Sequence, residues 1–210
     1  QFSTSGDDGY QLVPRDADDV VNEQMSGVFE LAENGVTVTC DAAIVGDTGT
    51  VNGVTYTKRT KDQITASNAA TTCTSGITDM SGLFRSEADF NEDINSWDVS
   101  SVTDMSSMFG GDLSTTTSFN QFIGDWDVST VTNMRNMFYN AISFNQDLAG
   151  WDVSQVTDMG GMFNSAEAFN QDIGSWDVSS VTNMEYMFRG ATAFNQPLNN
   201  WGEKLASVTS

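Results

Sequence analysis

The stretch FNQDIGSWDVSSVTNMEYMF, residues 169–188, decides the fold, because four other segments of the chain closely resemble it. The copies are marked by a tryptophan column, which consists of Trp97, Trp126, Trp151, Trp176 and Trp201. These residues are 29, 25, 25 and 25 positions apart. A period of this length is typical of repeat proteins, in which each unit buries its apolar face only against its neighbours. The sequence therefore predicts a stack of short repeats.

Two periodicities alternate inside each repeat. Apolar residues at i, i+3, i+4 and i+7 predict a short amphipathic helix, and in the fifth repeat these residues are Met184, Met187, Phe188 and Ala191. Around Trp176–Val181, apolar residues recur among Asp, Ser and Thr, which predicts a short strand that pairs with its copy in the next repeat. The sequence therefore predicts an α/β solenoid with one helix and one strand per 25-residue repeat.

Residues 77–210 are predicted to form a five-repeat solenoid that ends in a partial sixth unit. The repeats are Ile77–Ser101, Val102–Thr130, Val131–Gln155, Val156–Ser180 and Val181–Leu205. The second repeat is four residues longer than the others, because of an insertion within Gly110–Ser118. Insertions are tolerated best at the surface, so this segment is expected to form an exposed loop.

Residues 1–76 do not follow the repeat and are predicted to form an N-terminal tail and a capping region. A helix is predicted over residues 16–34, because the apolar residues there share one face and Gly35 follows them. A hairpin is predicted to turn at Asn52-Gly53. A short helix is expected before Cys73. The ends of a repeat stack need caps with a polar outer face, and this region is expected to supply one.

The chain contains two cysteines, Cys40 and Cys73, and no histidine. Without His and without a Cys-x-x-Cys spacing, the pair does not match a usual zinc site. A disulfide is therefore predicted, with two reduced, buried thiols as the alternative. Because disulfides persist in oxidising compartments, the chain is expected to be secreted or exposed at a cell surface.

The charge balance limits the expected partners. Acidic residues outnumber basic residues by 29 to 8, which gives a formal net charge of −21. Such a field repels phosphate backbones and anionic lipid headgroups, so no nucleic-acid partner is expected. No apolar run approaches the length of about 20 residues that a transmembrane helix needs, so no membrane insertion is expected either.

Catalysis is not expected from this chain. The absence of histidine removes the Ser-His-Asp and Cys-His nucleophile systems, and no GxxxxGK(S/T) loop is present to hold nucleotide phosphates. A glycosidase needs a pair of carboxylates, and such pairs recur in every repeat of this chain. An active site should instead be a local departure from the repeat pattern, so these pairs do not indicate a glycosidase. The chain is therefore interpreted as a non-enzyme, and the sequence indicates no cofactor apart from the calcium considered next.

Two polar columns accompany the tryptophan column. The asparagine column consists of Asn91, Asn120, Asn145, Asn170 and Asn195, and it is interpreted, like the tryptophans, as a structural ladder. The aspartate column consists of Asp98, Asp127, Asp152 and Asp177. Its oxygen ligands at constant register make calcium a candidate ligand. Serines two residues later favour the alternative, in which each aspartate accepts hydrogen bonds within a local turn.

The segment MFNSAEAFNQDIGSWDVSSVTNMEYMF, residues 162–188, resembles the repeats of bacterial surface proteins grouped with BspA-like leucine-rich repeat proteins. The resemblance covers residues 77–205, where Met, Met-Phe, Phe-Asn-Gln and Trp-Asp-Val-Ser recur in register. It implies a leucine-rich-repeat-like right-handed coil on a secreted or surface-exposed protein. It also implies adhesion in some members, and it brings no catalytic residues.

The expected function is an extracellular binding or adhesion module that presents a repeated face to a protein or glycan partner. The alternative is a structural subunit that self-associates head to tail through the ends of the stack to form a filament or surface layer. Function is expected in the residues that vary between copies, which are Arg135, Tyr139, Glu185, Tyr186, Arg189 and the insertion at Gly110–Ser118.

Overall fold

The computed structural model describes residues 28–202, 204–205 and 208. The strands are β1 (Glu30–Leu31), β2 (Val38–Thr39), β3 (Thr48–Val51), β4 (Val54–Lys58) and β5 (Thr72–Cys73). The 3-10 helices are Lys61–Gln63, Ala69–Thr71 and Asn199–Trp201. Across these described ranges no α-helix occurs. Most of the chain that the structure describes therefore consists of turns and irregular segments.

The strands form two small sheets in an N-terminal module that precedes the repeats. Strands β1 and β2 pair antiparallel, and in the second sheet β4 lies between β3, its antiparallel partner, and β5, its parallel partner. The β3–β4 hairpin turns at Asn52 and Gly53, whose φ angles of 51° and 81° are left-handed. Asn and Gly adopt this conformation at the lowest cost. A separate small core lies beneath, and it includes Phe29, Val38 and Tyr56.

A disulfide joins the two sheets of the N-terminal module. Cys40 follows β2 and Cys73 ends β5, and their sulfurs are 2.09 Å apart. Both cysteines are fully buried. The predicted disulfide is thus confirmed. The module also contacts the first repeat, because Val38 donates its backbone N–H to the carbonyl of Ser96 at 2.8 Å.

In the repeats, one short segment per copy carries the contacts between neighbours. We call these segments rungs; they are residues 79–86, 104–111, 133–140, 158–165 and 183–190. Each of the first four rungs donates four backbone N–H groups to carbonyls of the next rung. In the third rung the donors are Met134, Asn136, Phe138 and Asn140, at 2.8–2.9 Å. Parallel bridges join neighbouring rungs at one register position, which is occupied by Asp79, Asp104, Asn133, Asp158 and Asn183.

The rung backbone alternates between right-handed turns and left-handed residues. Some of the remaining N–H groups close turns of three residues, as Met137 does on the carbonyl of Met134 at 3.2 Å. Others donate to the Asp or Asn side chain that begins the rung, as Ser106 does to Asp104 at 2.8 Å. The fourth position of each rung has φ between 55° and 65°, and it is occupied by Gly82, Ser107, Asn136, Gly161 and Tyr186. The last position is also left-handed in four rungs, at Ser86, Asn140, Ser165 and Gly190. A left-handed φ is costly for a bulky side chain. Tyr186 is therefore the strained member of this series.

The predicted α/β solenoid, a leucine-rich-repeat-like right-handed coil with a helix and a strand in each repeat, is wrong. An α-helix requires N–H to C=O bonds four residues apart, but here alternate N–H groups bond to the next rung. The left-handed position in each rung also interrupts a helix. The predicted strand around Trp176–Val181 is an irregular segment with a turn at residues 179–180 instead. The i, i+3, i+4, i+7 spacing thus arises from turns and not from helical geometry.

Apolar side chains from the rungs and the tryptophan column form one continuous core. In the third and fourth repeats the Met and Phe side chains of this core are fully buried. Phe138 stacks on Phe144 within its own repeat at 3.9 Å between ring centroids, and on Phe163 of the next repeat at 5.5 Å. Each repeat therefore buries its apolar face on both neighbours.

Part of the N-terminal prediction lies outside the described residues. This applies to the tail and to residues 16–27 of the predicted helix. Over the described remainder, residues 28–34, the chain forms turns and strand β1 (Glu30–Leu31) and no helix. The short helix expected before Cys73 corresponds to the 3-10 helix Ala69–Thr71.

Candidate functional site

The tryptophan and asparagine columns bond one repeat to the next. Each indole Nε1 donates to a backbone carbonyl of the preceding unit; Trp176, for example, donates to Leu148 at 3.0 Å. In the first four asparagines of the column, Oδ1 accepts the backbone N–H of the asparagine in the following repeat, as Asn145 does from Asn170 at 2.9 Å. These side chains are occupied within the fold, which leaves them little capacity for a ligand.

The aspartate column forms local turns. Oδ1 of Asp98 and of Asp127 each accepts a serine hydroxyl two residues later at 2.6 Å. The pKa of Asp152 is lowered, mainly by the hydroxyl and amide of Ser154, although the nearby negative charge of Asp177 acts in the opposite direction. Hydrogen bonds from the serines thus offset the electrostatic repulsion between neighbouring aspartates of the column.

No metal site is evident at the aspartate column. Within residues 28–202, 204–205 and 208, no group of three or more His, Cys, Asp or Glu side chains is arranged to hold a metal ion. In each of the residues named as calcium candidates, Oδ1 accepts the backbone N–H of the residue two positions later in its own turn. Among the described residues, the structure therefore shows no cluster of calcium ligands at this column.

The insertion in the second repeat is the main local departure from the repeat pattern, and it is held in place by Asp112. Oδ1 of Asp112 accepts the amide and hydroxyl of Ser114, both at 2.8 Å, and the amide of Thr115 at 2.9 Å. Oδ2 accepts the Ser86 hydroxyl at 3.1 Å. The carbonyl of Asp112 accepts the Asn140 side chain at 2.6 Å. The loop is thus fixed to the rungs on both sides of it.

Gly111 allows the loop to fold back tightly. A Cβ atom at this position would lie about 2.0 Å from the carbonyl oxygen of Thr115, which is backbone and cannot rotate away. The N–H of Gly111 donates to Tyr139 in the next rung at 2.6 Å. The insertion therefore departs from the repeat while its first residue keeps the hydrogen bond between rungs.

The donors around Asp112 hold the pKa of its carboxyl well below the usual range, chiefly through the Ser114 amide and hydroxyl and then the Ser86 hydroxyl. Because the folded pKa lies below the unfolded value of about 3.9, the carboxylate fixes the loop fully above about pH 4. This contribution is lost only as the pH falls through the lower folded pKa.

We predict that the Asp112 carboxyl is still ionised at about pH 3, below its unfolded pKa. A carboxyl-carbon NMR titration of the labelled protein measures this directly. The variant Ser114→Ala lacks one hydroxyl donor, so its Asp112 pKa should shift toward the usual value. A midpoint near the ordinary value in the unaltered chain would contradict the hydrogen-bonding arrangement around Asp112.

An open cleft of about 430 Å³ lies between the inserted loop and the neighbouring rungs. We call it the loop cleft; its lining residues are Arg85, Ser107, Gly111, Asp112, Leu113, Ser114, Asn136 and Tyr139. Arg85, Gly110 and Tyr139 occupy the same position in three successive rungs. A Cβ atom at Gly110 would lie about 2.7 Å from the backbone carbonyl oxygen of Asn136, so its rung and the next approach closely here. The inserted loop, which supplies Gly111, Asp112, Leu113 and Ser114, forms one wall of the cleft.

The chemistry of the loop cleft differs from that of the rest of the surface. Arg85 is exposed, and among the described residues no carboxylate lies within ion-pairing distance of it. By contrast, Lys61, Arg135 and Lys204 each lie within 4 Å of an aspartate. Lys58 and Arg59 donate to backbone carbonyls, and Arg189, which also has no carboxylate partner among the described residues, lies over the Tyr186 ring. Leu113 has 95% of its surface exposed at the loop tip. The cleft therefore combines an unpaired cation, hydroxyl and amide groups, a phenol ring and an exposed apolar side chain.

The structure brings together some of the residues expected to carry function and separates others. The insertion and Tyr139 both line the loop cleft. Arg135 forms an ion pair with Asp158 at 3.7 Å, while Arg189 lies over the Tyr186 ring at 5.3 Å in the last rung. Sequence reasoning did not select Arg85. Aligning the repeats would have shown it in register with Tyr139, one repeat on either side of Gly110.

Two overlapping parts of the chain, residues 55–151 and 111–210, match a protein family described as "Mycoplasma protein of unknown function, DUF285". This family description names neither leucine-rich repeats nor adhesion. The match therefore supports a repeat family of unknown function, and it does not support the BspA-like proteins specifically. No curated protein and no solved structure gives a significant match. A search of the described residues finds no helix that is long and apolar enough to cross a membrane.

Proposed function

The chain belongs to the family described as "Mycoplasma protein of unknown function, DUF285", and we propose that it is an extracellular binding module that recognises an acidic glycan in the loop cleft. The observation that carries this proposal is the guanidinium of Arg85, which has no carboxylate partner among the described residues and lines the cleft formed by the insertion together with Tyr139. The buried disulfide fits an oxidising, extracytoplasmic setting. We propose a binding role without catalysis.

The loop cleft is suited to binding because it is held in place before any ligand arrives. Asp112 accepts four hydrogen bonds from the loop and from Ser86, so little conformational freedom remains for a ligand to remove. Binding to a preorganised site avoids part of the entropy cost of association. The fully bonded rungs beneath the loop supply the rigid base.

The groups in the loop cleft match a sugar that carries a carboxylate. A guanidinium binds a carboxylate through two parallel hydrogen bonds, and Arg85 has no such partner among the described residues. The side chains of Ser107, Ser114 and Asn136 can donate to and accept from sugar hydroxyls. Tyr139 and Leu113 offer apolar contact to a ring face or a methyl group. The cleft volume lies within the range of about 300–1,000 Å³ that is usual for small-ligand sites.

The acidity of the chain does not prevent this recognition. The carboxylate of Asp112, which also lines the cleft, is engaged by four hydrogen-bond donors. At physiological ionic strength the Debye length is about 8 Å, so carboxylates on distant repeats are largely screened from the cleft. The contact between Arg85 and a bound carboxylate is much shorter than this length and is screened less. A neutral sugar would lack that contact, so selectivity for an acidic sugar is expected.

The test is binding of the full chain to glycans that end in glucuronic acid or N-acetylneuraminic acid, compared with glycans that end in glucose or galactose. We predict that Arg85→Gln weakens binding of the acidic glycans about tenfold or more, because one charge-assisted bidentate contact is lost. Arg85→Lys should restore only part of the affinity, since an ammonium lacks the planar fork. Titration calorimetry gives the affinities.

Arg189→Gln is the matched control, because Arg189 occupies the same rung position as Arg85 but lies in the last repeat. It removes the same charge and should leave glycan affinity unchanged. Equal losses in the two variants would indicate a general charge effect instead of a site. Absence of binding to every acidic glycan, or binding that survives Arg85→Gln, would contradict the proposal and direct the search to protein partners.

A further inference from the structure

Another open cleft, with a volume of about 480 Å³, lies where the N-terminal module meets the repeats. We call it the module cleft; its polar lining includes Glu33, Asn34 and Asp41 from the module and Asp98, Ser101 and Asp127 from the first two repeats. Four carboxylates line this cleft, and its lining contains no Lys, Arg or His. The module cleft is therefore a concave acidic surface without a cation of its own.

Hydrogen bonds fix the two sides of the module cleft relative to each other. The Thr74 hydroxyl of the module donates to the backbone carbonyl of Asp98 at 2.9 Å. The indole of Trp97 donates to the carbonyl of Ala69 at 3.0 Å. These bonds join the module to the segment of the first repeat that begins the aspartate column. The cleft is thus formed before any ligand arrives, which reduces the entropy cost of binding.

Asp98, the member of the aspartate column next to the module, differs from the other three. Its side chain is buried, with 8% of the residue exposed, whereas Asp127, Asp152 and Asp177 are exposed. In the part of the chain that the structure describes, no other Asp, Glu, Lys or Arg is buried. Buried charges in proteins are nearly always paired. Asp98 forms no ion pair with any described residue, so its charge is left for a bound cation to compensate.

One carboxylate oxygen of Asp98 is open to a ligand. Oδ1 accepts the backbone N–H and the hydroxyl of Ser100, at 3.1 and 2.6 Å. Oδ2 accepts no hydrogen bond from the described residues. In those same ranges, the one side-chain oxygen that is both fully enclosed and without a hydrogen bond belongs to Asn95. Oδ2 of Asp98 is therefore not sealed off, and the cleft that Asp98 lines is the way to reach it.

The arrangement of the four carboxylates favours an elongated organic cation over a metal ion. Among the described residues, no three His, Cys, Asp or Glu side chains are grouped so that they could hold a metal ion. A polyamine instead carries several ammonium groups along a methylene chain, and each ammonium can donate to a separate carboxylate. Ala32 and Val99, which also line the cleft, offer apolar contact to the methylene groups. The cleft volume is within the usual range for small-ligand sites.

We propose that the module cleft binds an aliphatic polyamine, with one ammonium group on Oδ2 of Asp98 and another on a carboxylate at the rim. The rim carboxylates are Glu33, Asp41 and Asp127, and all three are exposed. The net charge of −21 raises the local concentration of polycations around the chain, and Asp98 supplies the contact that is specific to this site. The proposal goes beyond glycan recognition and uses no residue of the loop cleft.

Titration calorimetry of the full chain with spermidine, putrescine and butylamine tests the site. Both polyamines should bind with one-to-one stoichiometry. Butylamine lacks the second ammonium of putrescine and should bind at least tenfold more weakly, because one charge-assisted contact is lost. Equal affinities for putrescine and butylamine, or no binding of either polyamine, would overturn the proposal. Tighter binding of Ca²⁺ than of spermidine at the same site would also overturn it.

The variant Asp98→Asn removes the buried charge and nearly preserves the shape of the side chain. It should weaken spermidine binding about tenfold or more. Asp152→Asn is the matched control, because Asp152 occupies the same place in the aspartate column but does not line the module cleft. It should bind spermidine like the unaltered chain. Equal losses in the two variants would show only general attraction to an acidic protein and would contradict the proposed site.

Thermal unfolding separates a lost site from a damaged fold. Without ligand, Asp98→Asn should unfold at the same temperature as the unaltered chain or higher, because a buried unpaired charge is removed. Spermidine should raise the Tm of the unaltered chain more than that of the variant. Should Asp98→Asn fail to fold, Glu33→Gln and Asp41→Asn change exposed rim positions; if neither weakens spermidine binding, the proposal is wrong. Glycan affinity is measured separately, so this outcome leaves the loop cleft proposal intact.

Discussion

Replacing Trp176 with alanine is expected to lower the free energy of unfolding by about 3–5 kcal/mol, the usual cost of truncating a buried aromatic side chain. The indole is 1% exposed and stacks on the tryptophans of both neighbouring repeats, each with ring centroids 6.4 Å away. Its Nε1 donates to the carbonyl of Leu148 at 3.0 Å. The substitution therefore removes packing on two sides and leaves a buried carbonyl without its donor. Urea unfolding followed by the fluorescence of the remaining tryptophans measures the loss.

Two further variants divide this effect into its parts. Trp176→Phe keeps an aromatic ring but removes the indole donor, and an unsatisfied buried group costs about 1–3 kcal/mol. Trp201→Ala is the matched control, because Trp201 has a tryptophan neighbour on one side only among the described residues. Its loss should be smaller than that of Trp176→Ala. Equal losses at the two positions would contradict the view that each repeat is stabilised by both of its neighbours.

The stacking of repeats is predictable from the sequence, because residues separated by one repeat length occupy equivalent positions and contact each other. Trp151 and Trp176 are 25 positions apart and stack on each other. The local conformation is not predictable in the same way. The spacing of Met184, Met187 and Phe188 fits an α-helix, but turns of three residues satisfy the same spacing. The left-handed φ of Tyr186, which excludes the helix, is unusual for a bulky residue.

The candidate site is only partly visible in the sequence. The insertion within Gly110–Ser118 is apparent from its length, and the expectation of a loop follows directly. The contribution of Arg85 depends on Tyr139, two rungs further along the stack, because both side chains line the same cleft. Recognising this relationship from the sequence requires knowing how three successive rungs align. Asp112 is one of many aspartates in the chain, and only its four hydrogen bonds distinguish it.

Removing the disulfide by the double substitution Cys40→Ala and Cys73→Ala is expected to destabilise the N-terminal module by about 4 kcal/mol in the chain-entropy model of loop closure. The two cysteines are 33 residues apart in sequence, which sets the size of that loop. The loss should be concentrated in the module. Its small core, which includes Val38 and Tyr56, is separate from the core of the repeats.

Hydrogen exchange measured by mass spectrometry locates this loss. Peptides from residues 38–58 should exchange faster in the double variant, whereas peptides around Met134 in the third rung should retain their protection. The tryptophans all lie in the repeats, so the fluorescence transition should shift little. Reduction of the unaltered protein is the matched control and should reproduce the pattern without a change of side chain. If the third rung lost protection together with the module, the two cores would form one cooperative unit, in which unfolding of the module spreads through the hydrogen bond between Val38 and Ser96.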